Sequence, residues 1–469
     1  MKLHCIRLAI VSLLLAAPIS ICAQTTLAAE PFRLAEDDGY RGIWYMNQPT
    51  KDEYAYKYSG GMATYPQQHL PIAIYAPEVK KTFFVYGGSP AGERRVLEMV
   101  SYFDHPTKTF PRPRILLDKK TSDAHENPTL SIDAAGHLWI FSNGHGAARP
   151  AFIHRSTKPY SIDEFELVAD QNFSYSQPWY LPESGFFFLH TRYHQGERRL
   201  FWMTSADGLD WSKPAPLAQI AKGHYQASWT DGRRVATAFD YHPNPGGLNA
   251  RTNLYYLETS DQGKTWTNAA GEAVQVPLTE IKNPALVRDY LAEKQLVYLK
   301  QLHFDGDGRP VILYETSGGY APGPKNDPRV WRLTRWTGKR WETNDVTRSD
   351  HNYDYGSLYL EADGAWRLIA PTEPGAQPFG TGGDMVMWTS RDQGHTWQKQ
   401  KQLTRDTERN HSFAQQPRGA QPDFYALWAD GNARRPSESS LYFTDREGTH
   451  VWRMPTKMTE ATAKGEVAW

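Results

Sequence analysis

Cysteine is almost missing from this chain: of 469 residues only Cys5 and Cys22 carry a thiol, and both lie in or at the edge of an N-terminal segment that reads as a removable leader. A chain cut there has no thiol pair to oxidise, so a disulfide framework is excluded and stability must come from a packed core. Net charge is missing as well. The 52 basic and 52 acidic side chains balance, and losing Lys2 and Arg7 with the leader leaves 50 against 52. Neither nucleic acid nor a membrane surface is implied as a partner by that balance. Long apolar runs are confined to Leu8–Ala17, which is about ten residues, the length of a signal-peptide core and too short to span a bilayer. It follows the basic start Met1-Lys2-Leu3-His4-Cys5-Ile6-Arg7 and precedes small residues at Ala23 and Ala29. The expectation is a signal peptide over residues 1–23, with cleavage as late as 29 as the alternative, and a secreted or periplasmic mature chain. Ile21 before Cys22 is larger than a lipid-attachment site takes, which argues against a lipoprotein.

Sustained helical periodicity is the third absence. From Glu30 onward the chain reads as short strands broken by turn signals, as in Thr82–Tyr86, Leu138–Phe141, Gly185–Leu189, Leu254–Leu257 and Val311–Tyr314. The fold class is all-β. What is abundant is aromatic: 13% of the residues, sixteen of them Trp. Strand packing accounts for most of those rings, and exposed ones can stack on sugar faces.

A repeat selects among the all-β folds. Ser260-Asp-Gln-Gly-Lys-Thr-Trp266 and Ser390-Arg-Asp-Gln-Gly-His-Thr-Trp397 share Asp-Gln-Gly-x-Thr-Trp, Ser205-Ala-Asp-Gly-Leu-Asp-Trp211 is a shortened version, and Thr444 to Trp452 is a degenerate one. These are Asp-boxes, turns in which Asp caps backbone amides, Gly takes a left-handed conformation and Trp packs beneath. Their spacing of 55 and then twice 65 residues fits one four-stranded blade per about 60 residues. Residues 30–469 are therefore read as a single seven-bladed β-propeller, with six and eight blades as alternatives.

Loops at one end of a propeller converge on its channel, which focuses the search for chemistry. His125 precedes the strand Thr129–Asp133 and His145 follows Leu138–Phe141, and both stand ten residues from Ala135 at the centre of the hairpin. Paired imidazoles at the open end of one hairpin suit acid or base work near neutral pH. Loop histidines bonded to backbone are the structural alternative. Tyr175 and Arg192 recur at matching places in the next hairpin, as a phenolic acid or base and as a fork for a carboxylate. Tyr193, and Tyr225 with His242 one blade later, join as substrate-binding candidates. Asp305-Gly-Asp-Gly308 lacks a full calcium ligand set and reads as a hairpin turn.

Several further segments carry a resemblance. Asp37-Asp-Gly-Tyr-Arg-Gly-Ile-Trp44, Tyr56-Lys-Tyr-Ser-Gly-Gly61, His69-Leu-Pro71 and Thr82-Phe-Phe-Val-Tyr-Gly-Gly88 resemble a family of propeller enzymes acting on L-rhamnose-α-1,4-D-glucuronate linkages. So do Ser349–Asp354, Ala370–Pro374 and Gln421–Trp428, so that the likeness covers most of the mature chain. That family is related to the ulvan lyases, and its members are described as lyases and as α-L-rhamnosidases. The lyase resemblance implies His125, His145, Tyr175 and Arg192 as the catalytic set; the rhamnosidase alternative implies a histidine on the opposite face, for which His69 is the nearest candidate. The expected activity is β-elimination at glucuronate, with hydrolysis of the same linkage and a non-catalytic glycan-binding propeller as alternatives. A uronic-acid-containing polysaccharide or oligosaccharide is the expected partner, the chain is expected to be a monomer, and no metal or cofactor is required, although a structural calcium ion is compatible with the channel.

Overall fold

In the computed structural model, residues 30–62, 69–194 and 196–469 are described; the expected leader lies outside them. Among the described residues there are strands, turns and three short 3-10 turns but no α-helix, and no helix is long and apolar enough to cross a membrane.

Seven antiparallel meanders of four strands follow one another among the described residues. Their first strands are Ala73–Ala76, Pro128–Ile132, Ser174–Leu181, Gln226–Thr230, Leu296–Phe304, Ser357–Leu360 and Asn410–Gln415. Apolar residues run continuously through many strands because each sheet has a neighbour on both faces. Phe186, Phe187, Phe188 and Leu189 are all fully buried in this way, whereas the outermost strand Gln398–Gln402 is exposed and reads Gln-Lys-Gln-Lys-Gln.

Hydrophobic clusters fill the space between successive sheets, from the second and third (Phe141 with Phe188) to the sixth and seventh (Ile369 with Trp428). The seventh and first sheets share one too: Phe424 and Phe443 pack with Phe84 and Phe103. Arg41–Gly42 bridges these two sheets, pairing with Ser439–Ser440 on one side and with Gly88 on the other. The first and seventh sheets are thus joined through backbone hydrogen bonds as well as through a core.

The Asp-boxes occupy the turns between third and fourth strands. Asp392 accepts from the Thr396 amide at 2.9 Å and the Ser390 hydroxyl accepts from the Gly394 amide at 2.9 Å; Asp207 and Asp261 repeat the arrangement. The degenerate copy also holds, with Asp445 accepting from the Thr449 and His450 amides. Asp305 likewise caps a hairpin turn through the Arg309 amide at 2.8 Å. In an antiparallel meander the third–fourth turn lies at the opposite end from the start of the first strand. The boxes are therefore remote from the residues discussed next. Asp392→Ala is expected to lower stability by about 1 kcal/mol through the lost caps while leaving any turnover unchanged; a denaturation midpoint measured beside an activity assay checks both halves.

Candidate functional site

The start of each first strand and the end of each second strand share one end of a meander, so residues there gather around the channel. A 3-10 turn, Ala124–Glu126, leads into the second sheet and carries His125. The hairpin behind it pairs Pro128 with Ser142 and Leu130 with Ile140, the register centred on residue 135. The ladder stops at Pro128, yet the two imidazoles beyond it stack, with centroids 4.1 Å apart and planes 20° apart.

Asp123 holds the pair. Its Oδ1 lies 2.5 Å from His125 Nδ1 and its Oδ2 lies 2.6 Å from His145 Nδ1. An ionised carboxylate can only accept, so each ring presents Nδ1–H and keeps Nε2 as its basic nitrogen. Burial alone would raise the Asp123 carboxyl, but the two imidazoles overrule it and hold it well below the usual carboxylate range. Burial, with His145 alongside, pushes His125 down to about 4. His125 Nε2 receives the Tyr58 hydroxyl at 3.3 Å. His145 is less buried, its side chain 23% exposed, and its second nitrogen has no protein hydrogen bond among the described residues. The outer histidine is therefore the one whose base faces the channel. Asp123, His125 and His145 also offer ligand atoms within 4.8 Å of one another, so a cation that displaced the Nδ1 protons would sit there.

Beside the pair stands a guanidinium among tyrosines. The Tyr193 ring is 5.9 Å from that of His145, and Arg198 Nε donates to the Tyr193 hydroxyl at 3.0 Å. Arg198 also lies over the Tyr225 ring, 5.3 Å from its centroid, and no carboxylate is within ion-pair distance of it among the described residues. Burial works against its charge, and the surrounding tyrosines hold the guanidinium ionised. Burial raises the Tyr193 hydroxyl above the ordinary phenol range, so at neutral pH it is a proton donor.

Comparison with known proteins places the fold. A model of the BNR repeat-containing family matches residues 99–349. The chain belongs to that family. It is also similar to an ulvan lyase of Nonlabens ulvanivorans, 25% identical over 76% of this chain and 81% of the relative. An ulvan lyase of Alteromonas sp. is 23% identical over 66% of this chain and 70% of its own length. Among solved structures, a PL25 ulvan lyase superposes with a TM-score of 0.69 at 18% identity, covering 88% of this chain and 96% of its own; the same figures hold for a PL25 ulvan lyase bound to -[GlcA(1-4)Rha3S]-. At that identity the likeness establishes a propeller-type all-β fold.

In this BNR-family chain the residues singled out by sequence separate into two groups. His125, His145, Tyr175 and Tyr193 are brought together: the Tyr175 ring is 6.1 Å from His125 and 6.3 Å from His145. Tyr175 is only 1% exposed and lies against the histidine pair. Tyr225 packs edge-on to it at 5.4 Å, and His242 is buried behind Tyr225 at 5.0 Å, 3.5 Å from Asp240. His69 occupies no mouth of its own; fully buried, it donates from Nε2 to the His125 carbonyl at 3.1 Å and packs on Tyr175 at 5.3 Å. Arg192 stands apart. Alternation along Gly185–His194 sends it to the face opposite Tyr193, where its Nε donates to the Asn172 carbonyl at 2.7 Å.

Three residues escaped the sequence reading: Asp123, Arg198 and Arg251. Asp123 is two residues before His125, where a carboxylate reads as a turn cap, a part it also fills through the His125 amide at 3.1 Å. Arg198 pairs across a hairpin with Tyr193, a signal available once that turn is recognised. Arg251 lies in a connection and carries no motif at all; it is 1% exposed and stacked over Tyr225 and Tyr298 at 4.7 and 4.5 Å.

Proposed function

We propose that this chain is a seven-bladed β-propeller polysaccharide lyase that cleaves a glucuronate-containing glycan by β-elimination, with the L-rhamnose-α-1,4-D-glucuronate linkage as its substrate. One observation carries the reading: a histidine pair locked by one carboxylate stands next to an arginine–tyrosine pair, and the arginine has no carboxylate partner among the described residues. Arg198 binds the uronate carboxylate and so stabilises the charge that develops when C5 is deprotonated. His145 Nε2 takes the C5 proton, the C5–H electron pair becomes the C4–C5 double bond, the C4–O4 bond breaks, and the Tyr193 hydroxyl protonates the departing oxygen. Tyr175 backs the histidine pair. Seven meanders whose first and last sheets share a core and a bridging strand favour the seven-bladed ring.

Hydrolysis calls for two carboxylates flanking the scissile bond. Three acids present for such work are engaged elsewhere: Glu126 with Arg149 and Lys119, Asp240 with the Tyr225 amide, Glu373 with Lys399. Asp123 is held by both imidazoles. Export through the N-terminal leader, action as a monomer and independence from any cofactor complete the proposal. A rhamnose-capped glucuronate glycan is expected to give a product absorbing in the ultraviolet, the mark of an unsaturated uronate. Cleavage without that absorbance would sink elimination.

A further inference from the structure

A second charged feature stands at the end of the meanders away from the histidine pair. Trp179, Trp229 and His303 lie near the ends of the first strands Ser174–Leu181, Gln226–Thr230 and Leu296–Phe304, and Arg418 follows the end of Asn410–Gln415. Together with Pro71 and Gln416 they line a recess with room for about one water molecule.

Arg418 supplies the charge. Its backbone is tied to the first sheet on both sides, the amide donating to the Ala73 carbonyl at 2.8 Å and the carbonyl accepting from the Tyr75 amide at 2.9 Å, so the side chain starts from a fixed point. The guanidinium lies over the Trp179 ring, 5.6 Å from its centroid. Among the described residues no carboxylate is within ion-pair distance of it, and no acceptor takes a hydrogen bond from its side chain. Burial lowers the guanidinium below its ordinary range, and no charged neighbour opposes that; a guanidinium stays ionised all the same. His303 adds no charge. Burial pushes it down to about 3, and its Nε2 donates to Gln301 Oε1 at 3.1 Å. The Trp229 indole N–H is a further donor from the lining residues with no acceptor among the described residues. A water in the recess has Gln416 Oε1 to donate to, an atom buried without a partner, but a water leaves the charge uncompensated, and a charge withdrawn from solvent is strongly disfavoured without a counter-ion.

We propose that this recess binds one monoatomic anion, chloride in ordinary salt, as the counter-ion of Arg418. A chloride ion fills about the volume of a water molecule; sulfate, phosphate and a sugar carboxylate exceed that space, so the site is separate from glycan recognition at the opposite mouth. Bound there, the anion ties the seventh sheet to the Trp179 end of the third across the channel, in a chain whose only thiols are Cys5 and Cys22. A ligand of the folded ring alone raises stability as its concentration rises.

Crystals of the unsubstituted enzyme grown with bromide in place of chloride test the site directly: anomalous scattering at the bromine edge is expected to show a peak within hydrogen-bond distance of the Arg418 guanidinium. In solution, raising chloride about 100-fold at constant ionic strength, with gluconate as the balancing anion, should raise the unfolding midpoint by a few degrees. Bromide should act as chloride does. Arg418→Gln should abolish the dependence, Arg418→Lys should keep it at a weaker apparent affinity, and both should turn over glycan at the parent rate well below the unfolding range. Should Arg418→Gln not fold, the bromide peak and the halide series on the unsubstituted enzyme decide the matter by themselves. A recess without a bromide peak, a midpoint that is the same in chloride and gluconate, or a chloride dependence that persists in Arg418→Gln overturns the inference, and the proposed elimination is untouched by any of these results.

Discussion

Arg198→Lys is expected to lower turnover of a glucuronate glycan by about 100- to 1,000-fold, because an ammonium keeps the charge but loses the planar fork that grips a carboxylate and the Tyr193 hydroxyl together. Arg192→Lys, the change that sequence alone marks as damaging, is expected to stay within about threefold. The difference follows from one strand. Residues 192 and 193 point to opposite faces, Tyr193 faces the histidine pair, and the guanidinium on that side comes from the partner strand at 198. Initial rates of the two variants side by side decide the assignment, and a reversed order would move the carboxylate site to Arg192. The loss at Arg198 should fall mainly on kcat, since the interaction strengthens as charge develops on the carboxylate.

Asp123→Asn is expected to cost about 100-fold or more in turnover with little change in stability. An amide side chain offers one acceptor and one donor, so a single imidazole can keep its Nδ1–H; the other must take the opposite tautomer and lose the Nε2 lone pair that serves as base. The cap on the Ala124–Glu126 turn survives, because the amide oxygen still accepts from the His125 amide, so the stability change should be under about 1 kcal/mol. Nitrogen-15 spectra of the imidazoles separate this from a merely structural effect: both rings should be Nδ1–H in the parent and mixed in the variant. Two unchanged rings with full activity would show that Asp123 does not set the tautomer.

How much of this was legible in the sequence depends on the range of the interaction. The hairpin of His125 and His145 could be read because both flanks share one turn, Ala134-Ala135-Gly136, and the observed register is the one that symmetric counting gives. The Asp-boxes were readable for the same reason: donor and acceptor are four residues apart. Arg192 was singled out as a carboxylate fork at the matching place in the next hairpin, but it shares a face of its strand with His190, which packs against Phe188 and Phe201 in the core. The face of Tyr193 was the one to follow. Arg251 was beyond local reading, since it meets Tyr353 about 100 residues away along the chain; only the sheet order brings the two together. His69 was assigned by likeness to an opposite face and instead supports His125 from inside.

The measurement that bears most directly on the account is cleavage of a rhamnose-capped glucuronate oligosaccharide in water enriched in oxygen-18, followed by mass spectrometry of both products. Elimination breaks C4–O4 and returns the original oxygen to rhamnose, so neither product should gain the label beyond exchange at a free anomeric centre, and the glucuronate product should be lighter by one water than its saturated form. A saturated glucuronate, or oxygen-18 incorporated at cleavage, would contradict β-elimination at the Asp123-locked histidine pair.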